Sequence, residues 1–184
     1  AAIDDGLDWL DSQNVFSNPS SLSTANRDAL GLAALSIMER RISDDQNAAP
    51  VGYENATADD QVKIQTLMTY IINRATGAAM YSYRDGGDLM AISLYVRTGG
   101  PSTQLAITAI NSIFDRFNGS QSPYGFWAYR GMGNDSSTTQ LVVAGLAGAR
   151  AVFSDPRFTD AVRLGQLNTL ASNSANAYAN NGRV

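Results

Sequence analysis

The chain has 184 residues, 44% of them hydrophobic and 16% charged, with a formal net charge of -4. That length and apolar content suit one domain with a sizeable core and exclude a disordered chain, and the acidic balance works against a nucleic-acid partner. There is no His and no Cys, which removes Ser-His-Asp triads, thiol nucleophiles, zinc sites with nitrogen or sulfur ligands and haem attachment; no motif for a cofactor or metal stands out, and none is expected.

Seven helices are predicted. The first covers 4–13, with Ile3, Leu7 and Leu10 on one face and Trp9 expected in the core. The second covers 24–41 and is apolar nearly all round from Ala29 to Met38. The third follows Thr57-Ala58-Asp59-Asp60, a start resembling a capping box, and repeats Ile64, Leu67, Met68, Ile71, Ile72 and Ala75 at helical spacing. The fourth is expected from about Asp88 to the stop at Gly99-Gly100-Pro101. The fifth, 102–118, carries the stripe Ala106, Ala109, Ile110, Ile113, Phe114 and Phe117 and ends at Asn118-Gly119. The sixth runs from about Asp135 to Phe153, with Leu141 to Ala149 apolar on every side, and the last covers about 156–179, with Val162, Leu167, Ala171 and Tyr178 facing in.

Helices one, three, five and seven have a single apolar face, whereas two, four and six are apolar all round. A helix of the second kind must be covered on all sides. The expected fold is therefore all-α: helical-hairpin repeats in two layers, with Leu30, Leu35, Leu94, Leu141 and Leu146 nearly fully buried. Gly31, Ala33, Ala34, Gly145 and Gly148 would let the inner helices approach closely. A short repeat supports this arrangement. Tyr81-Ser82-Tyr83-Arg84 recurs 46 residues later as Trp127-Ala128-Tyr129-Arg130, and each copy is followed by a glycine-rich turn, Asp85-Gly86-Gly87-Asp88 and Gly131-Met132-Gly133-Asn134, expected to lead into an inner helix. Both copies are expected at the same end of the domain, before parallel helices.

Two segments resemble the α/α-toroid superfamily of terpenoid cyclases and protein prenyltransferases. Asp4-Asp5-Gly6-Leu7-Asp8-Trp9-Leu10-Asp11-Ser12-Gln13 is similar to the family's Trp-Leu-x-Ser-Gln outer helix, and Gly125-Phe126-Trp127 followed by Asp135-Ser136-Ser137-Thr138-Thr139-Gln140 looks like its entry to an inner helix. The resemblance implies a partial toroid, a half ring or fragment, for residues 1–184. It does not bring catalysis with it. The acid pairs Asp4-Asp5, Asp44-Asp45 and Asp59-Asp60 lack the cyclase Asp-x-Asp-Asp pattern, and the Cys and His of the prenyltransferase zinc site are missing.

The candidate ligand-binding residues are Tyr81, Tyr83, Arg84, Asp85 and Asp88, with Trp127, Tyr129, Arg130 and Asp135 as their counterparts. Aromatic rings beside arginines at helix N-termini suit a sugar ring or another flat ligand bearing an anionic group. The structural alternative makes Asp88, Asn134 and Asp135 N-caps, the rings a plug and the arginines partners of nearby acids. Asp85, Asp88 and Asp135 are also the carboxylates a glycoside-cleaving site would use. Calcium at Asp44 and Asp45 ranks below a solvated loop.

Two functions of different class follow. The first is a non-catalytic binding or assembly module that self-associates or packs on another domain or protein, with a carbohydrate or other small ligand. The second is a carbohydrate-active α/α-barrel enzyme. No apolar run approaches the ~18 residues of a membrane span. Lys63 is the sole lysine, and Ala1-Ala2 stands directly before a helix as a mature end left by signal-peptide cleavage would. An extracytoplasmic place is expected on those grounds.

Overall fold

The computed structural model describes residues 2–43, 45 and 47–181. Among them are eight α-helices: α1 (Ala2–Ser12), α2 (Thr24–Asp28), α3 (Leu30–Met38), α4 (Ala58–Ala75), α5 (Ser82–Arg97), α6 (Thr103–Asn118), α7 (Ser136–Phe153) and α8 (Ala161–Asn181). A small antiparallel hairpin of β1 (Trp127–Ala128) and β2 (Gly131–Asp135) precedes α7. The chain is thus all-α apart from this hairpin. Asp44 and the Ile3 side chain, both invoked by the sequence reading, lie outside the described residues.

The amphipathic helices form where the apolar spacing demands. All six stripe residues of α4 and all six of α6 are buried. The Thr57 side chain caps α4 by accepting the Asp60 N–H at 3.2 Å. α5 packs against α3 on one side and α7 on the other, while α4 and α6 lie against α5 and each other. α8 packs on α6 and α7.

The inner helices α3, α5 and α7 run parallel. Gly31 of α3 faces Gly87, and Leu35 and Glu39 share a groove with Leu94 and Arg97 further along α5. Gly86 faces Leu141 of α7, and Gly148 faces Met90 and Ser93. Each following helix returns antiparallel. Arg40 at the end of α3 pairs with Asp60 at the start of α4, Arg116 late in α6 reaches Asp85 early in α5, and Tyr178 late in α8 donates to the Ser136 carbonyl at the start of α7. The result is three stacked helical hairpins.

The helix crossings explain the glycines. A Cβ on Gly31 would collide with the Gly87 backbone, one on Gly86 with the Leu141 carbonyl, and one on Gly145 would lie 2.9 Å from the Gly86 oxygen. Asp85-Gly86-Gly87-Asp88 is therefore not the turn expected from its composition. It is the second turn of α5, where both neighbouring helices touch its backbone. Glycine signals a turn and a close helix approach equally well in one dimension.

Other expectations are corrected. The second predicted helix is broken at Ala29 and ends at Met38; the Arg74 guanidinium donates to the Arg27 carbonyl there. α5 begins six residues before Asp88, helped by the Asp85 carboxylate reaching back to the Tyr81 N–H at 3.3 Å. Leu30, Leu94 and Leu146 are buried, but Leu35 and Leu141 are half-buried. α7 is not covered all round: Ser136, Gln140, Val143, Ala147 and Arg150 form an exposed stripe. Trp9 is exposed rather than core, as are Val162, Ala171 and Tyr178. Leu167 is buried as expected, and α8 turns Leu170 and Ser174 inward beside it.

Candidate functional site

The two tetrapeptides meet at one end of the hairpin stack, although their backbones differ. Tyr81 is the N-cap of α5 and Ser82, Tyr83 and Arg84 form its first turn, whereas Trp127 and Ala128 form β1 and Tyr129 and Arg130 the hairpin turn. They are tied directly: the Ser82 N–H donates to the Tyr129 carbonyl at 3.0 Å, and the Ser82 hydroxyl donates to the Ala128 carbonyl.

This junction gathers three tyrosines. Tyr81 and Tyr129 stack with centroids 6.3 Å apart, and Tyr83 lies 5.3 Å from Tyr129. The Arg130 guanidinium sits 5.9 Å from the Tyr81 centroid. Tyr129 is 47% exposed and Tyr81 and Tyr83 are half-buried, so the rings form a partly open surface cluster. The Tyr83 hydroxyl donates to Ser137 Oγ at 2.7 Å, and Ser137 in turn donates to Asp135 at 2.6 Å. Hydrogen bonding to Tyr83 is the first cause raising the Tyr129 hydroxyl above the ordinary tyrosine range.

Asp135 is the N-cap of α7 and accepts the Thr138 N–H at 2.8 Å. The Ser137 hydroxyl first, and then that amide, hold its carboxyl below the usual range. The N-cap expectations for Asp88 and Asn134 are corrected: Asp88 lies inside α5, and Asn134 lies in β2, where its side chain accepts from Ser122 at 2.8 Å.

The remaining candidates, Arg130 apart, are buried or paired. Trp127 is completely buried, and its indole N–H donates to the Phe117 carbonyl at 2.9 Å. Asp85 and Asp88 are each 1% exposed. Asp85 accepts from Arg84 at 2.7 Å and Arg116 at 3.0 Å. Asp88 is bound by Arg74, with both carboxylate oxygens 2.7 Å from Nη2. Burial pushes the Asp88 carboxyl up to about 7, because lost solvation outweighs the pairing with Arg74. Arg84 is consumed by Asp85 and the Ala79 carbonyl, whereas Arg130 is exposed at the hairpin tip.

The structure therefore brings Tyr81, Tyr83, Tyr129 and Arg130 together at the surface and places Arg84, Asp85, Asp88 and Trp127 beneath them. Sequence reasoning missed Arg74, Arg116 and Ser137. The first two carried a signal: buried carboxylates on an apolar helix require cations from neighbouring helices. Among the described residues no group of three or more acidic side chains is arranged to hold a metal ion, and no helix is long and apolar enough to cross a membrane. Comparison with family models, curated proteins and solved structures gives no match.

Proposed function

We propose that this chain is a non-catalytic binding or assembly module with an α/α-toroid-like fold, acting outside the cytoplasm. The observation that carries the binding reading is the tyrosine platform with Arg130 at its edge. Exposed rings supply flat apolar faces, and the guanidinium supplies a charge that a ring-shaped ligand with an anionic group would match.

A carbohydrate-active enzyme is the second reading, favoured by the raised pKa of Asp88, a property expected of a general acid. Against it stands the geometry. Asp85 and Asp88 are sealed from solvent and engaged by arginines, so neither offers an oxygen to a glycosidic bond. Asp135 spends its carboxylate on the α7 cap.

Calorimetric titration with trigalacturonate, an acidic sugar oligomer, tests the choice. Saturable binding without release of new reducing ends is expected. Tyr129→Ala and Arg130→Ala should each weaken it about tenfold, the equivalent of ~1.4 kcal/mol. Absence of saturable binding, or indifference to both substitutions, overturns the platform reading, and steady appearance of reducing ends supports the enzyme instead.

The assembly half of the reading rests on the open groove between the inner helices, lined by Leu35, Met90, Leu94 and Ala144, with Leu32 on α3 and Val143 on α7 also exposed. A second copy of the chain covering this face is the commonest symmetric solution.

A further inference from the structure

A separate cleft of about 640 Å³ opens between the loop after α6 and the C-terminal half of α8. It shares no residue with the tyrosine platform. Its size falls within the range of small-ligand sites, roughly 300–1,000 Å³. What distinguishes it is the chemistry of its wall. Among the described residues no Asp, Glu, Lys or Arg lines it, in a chain that carries 30 such residues, 13 basic and 17 acidic.

Amides predominate among its polar side chains, joined by the hydroxyls of Ser122 and Tyr124. Asn173, Asn176 and Asn180 recur at i, i+3 and i+7 on one face of α8, and Asn118 closes the wall from the end of α6. Two apolar side chains, Tyr124 at 71% exposed and Met132 at 67%, stand at the cleft against the general tendency to bury such groups.

The floor is built rigidly. Gln121 spends its amide on the loop and on α8, donating to the Gly125 carbonyl at 3.1 Å, the Leu170 carbonyl at 3.0 Å and Ser174 Oγ at 3.1 Å. Its oxygen accepts from Asn173 at 3.0 Å. Gly125 sits at φ +84°, and a Cβ there would collide with the Asn173 backbone. Ser174 adds a second bond to the Gly125 carbonyl at 2.8 Å. A loop fixed in this way needs little ordering when a ligand arrives, which removes one of the ordinary costs of association.

A primary amide presents donors and an acceptor together, and so does a hydroxyl. A row of amides beside an exposed phenol ring therefore matches a molecule whose edges are hydroxyls and whose faces are C–H. Among the described residues an ionic ligand finds no counter-charge on these walls. We infer that the cleft binds a neutral polyhydroxylated ligand, a short uncharged oligosaccharide, whose ring stacks on Tyr124 and whose hydroxyls bond to Asn118, Asn176 and Asn180. This site stands independently of the tyrosine platform.

The test is a titration, followed by heteronuclear NMR, of cellotetraose, mannotetraose, xylotetraose and N-acetylated chitotetraose. At least one should saturate at millimolar concentration or below and shift the amide signals of Asn176 and Asn180. Tyr124→Ala should weaken it at least about tenfold, Asn176→Ala combined with Asn180→Ala should do the same, and Tyr124→Phe should retain it, as stacking requires. These positions are exposed, and an unchanged thermal unfolding curve establishes that each variant is folded. Tyr129→Ala should leave neutral-sugar binding intact, which separates this cleft from the platform. Failure of all four sugars to bind, binding indifferent to Tyr124→Ala, or displacement of the bound sugar by trigalacturonate overturns the assignment.

Discussion

At the scale of single residues, Asp88 contains the least expected chemistry. A carboxylate on an inner helix was expected at a helix start, yet it lies sealed between α4 and α5 with Arg74. Its carboxyl is raised from the ordinary 3.8 to about 7. Between those values the folded protein holds a proton that the unfolded chain has released. The contribution of this group is therefore greatest below 3.8 and declines as pH rises towards 7. Urea unfolding of the wild type and Asp88→Asn across that interval checks the sign. The wild type should lose stability relative to the variant as pH rises, and parallel profiles would mean that Asp88 is ionised throughout. Asp135 has the opposite sign: its lowered carboxyl contributes above the ordinary carboxylate range and loses that contribution as pH falls through the folded value.

At the scale of elements, the closest contacts are backbone to backbone at the glycines of α3, α5 and α7. Gly86 and Gly145 show how specific that packing is. The atom that a Cβ on Gly86 would strike is the Leu141 carbonyl oxygen, and a helix backbone cannot rotate aside as a flexible side chain can. Gly86→Ala should raise helix propensity locally and still lower overall stability. The expected net loss is about 1 to 3 kcal/mol, as for other overpacked cores, measured by chemical denaturation. Gly165 on α8, which has open space around its Cβ position, provides the control: Gly165→Ala should be neutral or stabilising. If the two substitutions behave alike, the helices are not held at the spacing described.

At the scale of the whole molecule, each hairpin leans on the next, so damage to the last inner helix should spread. Leu146 is 2% exposed within α7, and Leu146→Ala should cost about 2 to 5 kcal/mol with the cavity it leaves. The same scale decides assembly. Leu32 on α3 is 48% exposed and Val143 on α7 is 37% exposed, and a second copy packed across α3, α5 and α7 would cover both. Light scattering over a concentration series should show a dimer that Val143→Asp dissociates. A monomer at every concentration would remove the assembly half of the proposed function while leaving the ligand sites untouched.

The sequence by itself determined the helical class and the apolar stripes of α4 and α6. Those features depend on local spacing, and a period of 3.6 residues is written in the chain whatever packs against it. It also pointed to one end of the domain for Tyr81 to Arg84 and Trp127 to Arg130, where they meet, but only the second copy precedes its helix, since Ser82 to Arg84 are already the first turn of α5. Only the tertiary structure decided what each residue of the repeat does. Tyr129 and Trp127 are both large rings in one tetrapeptide, but the hairpin turns one to solvent and the other into the core against Phe117. Asp88 and Asp135 were both legible as caps, and only the second is one, since the start of α5 is set by its contacts with the hairpin and with Asp85. The amide-lined cleft depends on the loop at Gly125 closing against α8, a contact 49 residues apart in the chain. Burial, pairing and cleft formation depend on such distant neighbours, which local spacing does not encode.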